Sequence, residues 1–116
     1  MEGNAQRTLV KSAPELWELA DDISRMEAWM ARVVGASERV AVEVVDRQPE
    51  RVLAWRAREP RAGDARIALE LADSAFGTAV SITARRPLGE ARGVGGVLER
   101  LLDELGSPER RPFERG

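Results

Sequence analysis

The side chains able to do chemistry in this chain are few, and the types that are missing narrow the choice. Asp21, Asp22 and Glu27 stand close together and could supply a general base. A carboxylate acts as a base near neutral pH only when burial raises its pKa, and these three occupy hydrophilic positions, so capping of helix ends is the simpler use for them. The sequence contains no histidine, cysteine or tyrosine. The commonest general base and metal ligand, the thiolate nucleophile and the phenolic proton donor are therefore missing together, which weighs against catalysis and excludes disulfides. No metal and no cofactor is implied. Gly93-Val94-Gly95-Gly96 has the glycine content of a phosphate-cradling loop but lacks its strand-to-helix crossover and downstream acidic residue. Small residues there are expected to let a helix start pass close to a sheet edge. Arg56, Arg58, Arg66, Arg85 and Arg86 are spaced to form a basic patch on an outer sheet face, but Glu43, Glu59 and Glu70 are interspersed, as on an ordinary charged surface.

What remains is apolar recognition. Trp29 and Trp55 offer large flat surfaces with one polar handle each, and Met26 and Met30, one helical turn apart, can adapt to an irregular shape. The same residue types fill cores, so pocket and core stay open as readings for all four. Trp17 is assigned to the core.

The elements that must position these residues follow from periodicity. Ser12-Ala13-Pro14-Glu15 is a helix-start signal, with Ser12 as N-cap, Pro14 in the first turn and Glu15 completing a capping box. Leu16, Trp17, Leu19 and Ala20 mark its apolar face, and it ends near Asp21-Asp22. Ser24 offers a second N-cap for a helix carrying Met26, Trp29, Met30 and Val33 and stopping at Gly35. The period then changes from 3.6 to two. Strands are expected over Val40–Val45, Val52–Arg58, Arg66–Ala72 and Thr78–Ala84, separated by turns at Arg47–Glu50, Pro60–Asp64 and Asp73–Gly77. Four runs joined by short turns imply an antiparallel meander with one apolar face. After Pro87 and Gly89, a helix from Gly93 to Leu105 carries Val94, Val97, Leu98, Leu101, Leu102 and Leu105 on one stripe. A stripe that wide needs a broad apolar surface, and the sheet is the surface available, so the architecture reads as one long helix lying across an antiparallel sheet.

Length and charge set the outer limits. A chain of 116 residues fits one domain over 1–116, with a core over 7–106 and a polar tail over 107–116. The net charge is −2 and Lys11 is the single lysine, so the chain lacks the global field of a generic nucleic-acid binder. No stretch approaches the ~20 apolar residues of a membrane span, and Met1–Gln6 has no apolar leader core. A cytoplasmic, unprocessed protein is the expectation.

The run Ala13-Pro14-Glu15-Leu16-Trp17-Glu18-Leu19, the segment Ser24 to Trp29, Pro49-Glu50-Arg51-Val52-Leu53-Ala54-Trp55 and Gly77-Thr78-Ala79-Val80-Ser81 resemble, in order and spacing, the SRPBCC superfamily of START-like, polyketide-cyclase-like and heat-shock ATPase activator-like domains. The resemblance spans Arg7 to about Leu105. It implies an α+β helix-grip fold: a curved antiparallel sheet wrapped around a long C-terminal helix, two short helices after the first strand, and a hydrophobic cavity between sheet and helix. One departure is visible. Members usually place two short strands between the helix pair and the meander, whereas ten residues, Met30 to Arg39, separate Trp29 from Val40. The sheet is expected to be short by one or two strands, with a cavity smaller, more open or closed by a second subunit.

Together these readings point to a small hydrophobic molecule as the partner, held by Met26, Trp29, Met30, Val33, Trp55, Leu69, Val97 and Leu101, with Arg32 or Thr83 setting its orientation. Two alternatives stay open: an enzyme resembling polyketide cyclases or dehydratases, and an interaction module resembling the co-chaperone branch. A homodimer would manage the sheet edge that missing strands leave exposed.

Overall fold

The computed structural model describes residues 2–58, 64–86 and 91–106, with side chains described from residue 95 onward in the last helix. The chain order is β1 (Glu2–Leu9), α1 (Ala13–Ala20), α2 (Ile23–Val34), β2 (Val42–Gln48), β3 (Val52–Ala57), β4 (Arg66–Ser74), β5 (Gly77–Arg85) and α3 (Ala91–Gly106). The strands form one antiparallel sheet in the order β1-β5-β4-β3-β2. Strands β2 to β5 are the expected meander. The first strand returns to pair with the last, leaving the two helices between β1 and β2 to cross one face.

That first strand begins earlier than the expected core. Periodicity is uninformative over Glu2–Leu9 because only Ala5 and Leu9 are buried there. Pairing of all eight residues with β5, a tertiary contact, makes it a strand.

The helix starts illustrate how local chemistry sets boundaries. The Ser12 side chain accepts from the Glu15 N–H and the Glu15 carboxylate accepts from the Ser12 N–H, the reciprocal box the sequence announces. The cap of α2 is Asp22 rather than Ser24. Asp22 Oδ1 accepts from the Ser24 N–H at 3.0 Å, since a carboxylate at the positive helix end is the stronger acceptor. Gly35 ends α2 at φ 76°, a left-handed conformation that suits glycine. Residues 30–41 hold the end of α2 and a loop, without a strand.

Strand β2 runs on through Arg47 and Gln48, which the sequence placed in a turn. A bulge between Val44 and Asp46 explains it: the extra residue, Val45, breaks the two-residue alternation that marked the strand. Strand β4 likewise continues to Ser74, shortening the turn to Ala75-Phe76. The expected loop at Pro60–Asp64 apart from Asp64, the break at Pro87 and Gly89, the stripe position Val94 and the tail 107–116 lie outside the described residues or side chains.

Burial alternates along the sheet as a one-sided layer requires. Leu53, Trp55, Ile67, Leu69, Val80 and Ile82 face inward and are buried, with Leu98, Leu101, Leu102 and Leu105 of α3 packed over them. The helix lies chiefly along β1 and also touches α2 and β5, while α2 covers β2 and β3. The first helix also touches β4 and α3 and buries Leu16 and Ala20, so all three helices pack on the inner side. Trp17 is partly buried at its edge rather than fully in the core. The architecture is the helix-grip fold.

Candidate functional site

The inner layer brings together all eight residues expected to face a ligand. Met26, Trp29, Met30 and Val33 come from one face of α2, Trp55 from β3, Leu69 from β4, and Val97 and Leu101 from α3. Seven of them are essentially inaccessible, and Val97 is partly buried against the same cluster. Trp29 and Trp55 form a tilted pair with ring centroids 6.1 Å apart, within the range of a favourable aromatic contact.

The two indoles differ in their polar ends. Trp29 Nε1 donates to Glu104 Oε1 at 3.2 Å. The same carboxylate pairs with Arg25 at 3.5 Å and with Arg32, so one acceptor at the rim ties three α2 side chains to α3. Trp55 Nε1 is buried and has no hydrogen-bond partner among the described residues. Such a donor costs about 1–3 kcal/mol if nothing accepts from it. The rung that carries Trp55 reads Gly3, Ala84, Ile67, Trp55, Val44 across the five strands. Its β1 and β5 positions contribute almost no side-chain volume to the interior.

Other expectations are corrected. Arg32 is committed to Glu104. Thr83 lies on the outer face, because its neighbours Ile82 and Ala84 are the buried ones. Neither is placed to orient an interior ligand. The helix-end reading of Asp21 and Asp22 holds: Asp22 caps α2, and Asp21, at the end of α1, receives Arg47 at 2.9 Å. Arg86 leaves the outer basic patch and donates to the Val33 carbonyl at 2.9 Å. A side chain at Gly95 or Gly96 would meet open space, whereas one at Gly106 would come within 3.0 Å of Leu9 Cδ2. Among the described glycines of α3 the close approach to the sheet edge therefore falls at Gly106, at the opposite end of the helix.

Glu104 was not singled out from the sequence. Its signal was faint: a carboxylate between Leu102 and Leu105, flanking the apolar stripe. Grooves lined by described residues open on the outer face, among them one of about 640 Å³ bounded by Gln6, Thr8, Gln48, Arg51, Glu70 and Ser81.

These features define an α+β protein of the helix-grip type, the fold the SRPBCC resemblance implied. Solved structures agree over about nine-tenths of the chain. It is similar to the protein CV1439 of Chromobacterium violaceum (TM-score 0.69, 17% identity, covering 90% of this chain and 94% of that one). It is also similar to the Aha1 dimer of Colwellia psychrerythraea (TM-score 0.67, 14% identity, 91% and 93%) and to CalU16 of Micromonospora echinospora (TM-score 0.66, 19% identity, 89% and 70%). No protein-family model and no curated protein sequence matches the chain. No described helix is long and apolar enough to cross a membrane.

Proposed function

We propose that the protein binds a small, largely apolar molecule between the sheet and α3, walled by Met26, Trp29, Met30, Val33, Trp55, Leu69, Val97 and Leu101. The observation that carries this reading is the Trp55 indole N–H, unpartnered among the described residues in a largely apolar interior. A ligand with one carbonyl or ether oxygen would supply the missing acceptor while its apolar body is buried at about 25 cal/mol per Å². The low volume at Gly3 and Ala84, on the same rung as Trp55, supports placing the ligand there. Native mass spectrometry of the purified protein against its denatured mass tests the proposal directly. A non-covalent adduct of small apolar mass supports it. If the protein is empty and flat aromatic ketones neither shift its tryptophan emission nor raise its melting temperature, the reading falls.

Val10 and Phe76 favour a second reading, in which the surface engages another protein. Both side chains are largely exposed, at 90% and 82%. Their loops touch, since a side chain at Gly77 would lie 3.0 Å from Val10 Cα. Paired exposed apolar residues on adjacent loops are a recognisable contact point. Replacing both with serine should then abolish capture of a partner without changing ligand binding. Homodimerisation belongs with these proposals: the Colwellia protein is a dimer in solution, and β1 and β2 are the sheet edges here. The β2 bulge interrupts regular pairing along that edge. Sedimentation analysis reads the state directly.

A further inference from the structure

Strand register puts one residue from each of the five strands on a single rung of the outer face, on the side of the sheet away from the helices. Read from β1 through β5, β4 and β3 to β2, the rung is Glu2, Arg85, Arg66, Arg56, Glu43. Directly opposed residues of antiparallel strands have Cα atoms about 5 Å apart, so three guanidinium groups spring from neighbouring positions across roughly 10 Å of sheet. Like charges placed this way destabilise a sheet unless something neutralises them.

The carboxylates at the two ends do part of this. Arg56 Nη2 lies 2.8 Å from Glu43 Oε1, and Arg85 Nη2 lies 3.9 Å from Glu2 Oε2. Arg66, at the centre, has no ion pair or side-chain hydrogen bond among the described residues. The surface beside it is hollowed on both sides. A groove of about 500 Å³ takes in Arg56, Arg58, Arg66 and Arg85, with the carboxylates of Glu43 and Asp64 at its wall. On the other side the next rung reads Asn4, Thr83, Ala68, Ala54, Asp46. Its centre is small, and a second groove of about 200 Å³ there is lined by Glu2, Arg66, Arg85, Ala68 and Thr83.

We infer that this rung is a binding site for a phosphate group of a small molecule, seated over Arg66 between Arg56 and Arg85. A doubly charged tetrahedral anion has more charge and more acceptor oxygens than a carboxylate, and can take planar forks from two or three arginines at once. Glu2 and Glu43 close the rung at both edges and the chain carries a net charge of −2. A continuous nucleic-acid backbone would meet carboxylates on either side, so an isolated phosphate group is the fitting ligand. The site lies on the opposite face of the sheet from the proposed apolar interior and does not depend on it.

Calorimetric titration of inorganic phosphate and pyrophosphate into the full chain at low ionic strength tests the site. Saturable binding that weakens as salt is added is expected, with a loss of about tenfold or more in Arg66→Gln. Arg100→Gln, on the exposed face of α3 in the other layer, should leave it unchanged, and acetate should not compete. A second readout separates binding from folding: Arg66→Gln should melt no lower than the wild type, because it relieves like-charge contact, and phosphate should raise the melting temperature of the wild type and of Arg100→Gln but not of Arg66→Gln. Equal binding by wild type and Arg66→Gln overturns the inference. Equal loss in Arg100→Gln, competition by acetate, or no binding in the millimolar range does so as well.

Discussion

Trp29 and Trp55 lie with ring centroids 6.1 Å apart and planes inclined at 36°, and only Trp29 has its indole N–H satisfied. The pair joins α2 to β3 at the centre of the inner layer. Its polar ends diverge: one reaches the rim carboxylate of Glu104, and the other stays inside.

Replacement of each ring by phenylalanine should separate the two roles. Trp55→Phe gives up packing but also removes a buried donor that costs about 1–3 kcal/mol unpaired, so its stability should stay within about 1 kcal/mol of wild type. Trp29→Phe loses packing and a hydrogen bond together, and should fall about 1 kcal/mol further. Urea denaturation of both variants decides it. Equal destabilisation would mean that Trp55 has a partner, such as a buried water.

Glu104 is expected to matter through Trp29 more than through its arginines. Glu104→Gln keeps an acceptor for the indole and weakens partly exposed ion pairs, at a cost of about 1 kcal/mol or less. Glu104→Leu leaves the buried N–H unpaired and should cost about 1–3 kcal/mol. Thermal unfolding of the two variants reads the difference.

Leu101→Ala should destabilise by about 2–5 kcal/mol, because a fully buried side chain on α3 is removed from a packed layer. If the interior holds a ligand, the same variant should also lose it. Loss of ligand at a temperature where circular dichroism still shows the fold intact would place Leu101 at the ligand.

Gly77→Ala should be among the most damaging single changes, at more than about 2 kcal/mol. Its φ is 143°, and an added Cβ would stand 2.0 Å from the Leu9 carbonyl oxygen. Gly35→Ala meets no neighbour and carries only the left-handed penalty at φ 76°, about 1 kcal/mol. The ratio of their denaturation midpoints tests whether the close approach at Leu9 is real.

Arg7 bridges β1 to α3, reaching Asp103 and, at 2.6 Å, Glu99. Hydrogen bonds to Asp103 and then Glu99 raise its guanidinium pKa above the usual value. A raised folded-state pKa contributes stability that is complete below the unfolded value and is lost only as pH rises through the folded one. This contact should therefore give no pH dependence around neutrality from the arginine itself, and should weaken with added salt. Comparing wild type with Arg7→Gln across ionic strength at fixed pH checks both points.

Local chemistry and periodicity determined most of the elements. The Ser12–Glu15 box, the stop at Gly35, the four alternating strands and the leucine stripe of α3 are all short-range patterns, and each places its element within a few residues of where it lies. Those patterns also selected the apolar set around Trp29 and Trp55, because residues on one face of a helix or strand must be buried together.

What the sequence could not determine was decided by contacts between elements far apart in the chain. Glu2–Leu9 is a strand because β5 pairs with it, and Val45 becomes a bulge because β3 fixes the register on either side. Glu104 accepts from Trp29 across 75 residues, and Arg56, Arg66 and Arg85 become one rung only when three strands align. Sequence spacing carries the face a residue occupies; only the tertiary fold supplies the partner it meets there, because register, ion pairs and close approaches depend on distances between segments that no local pattern encodes.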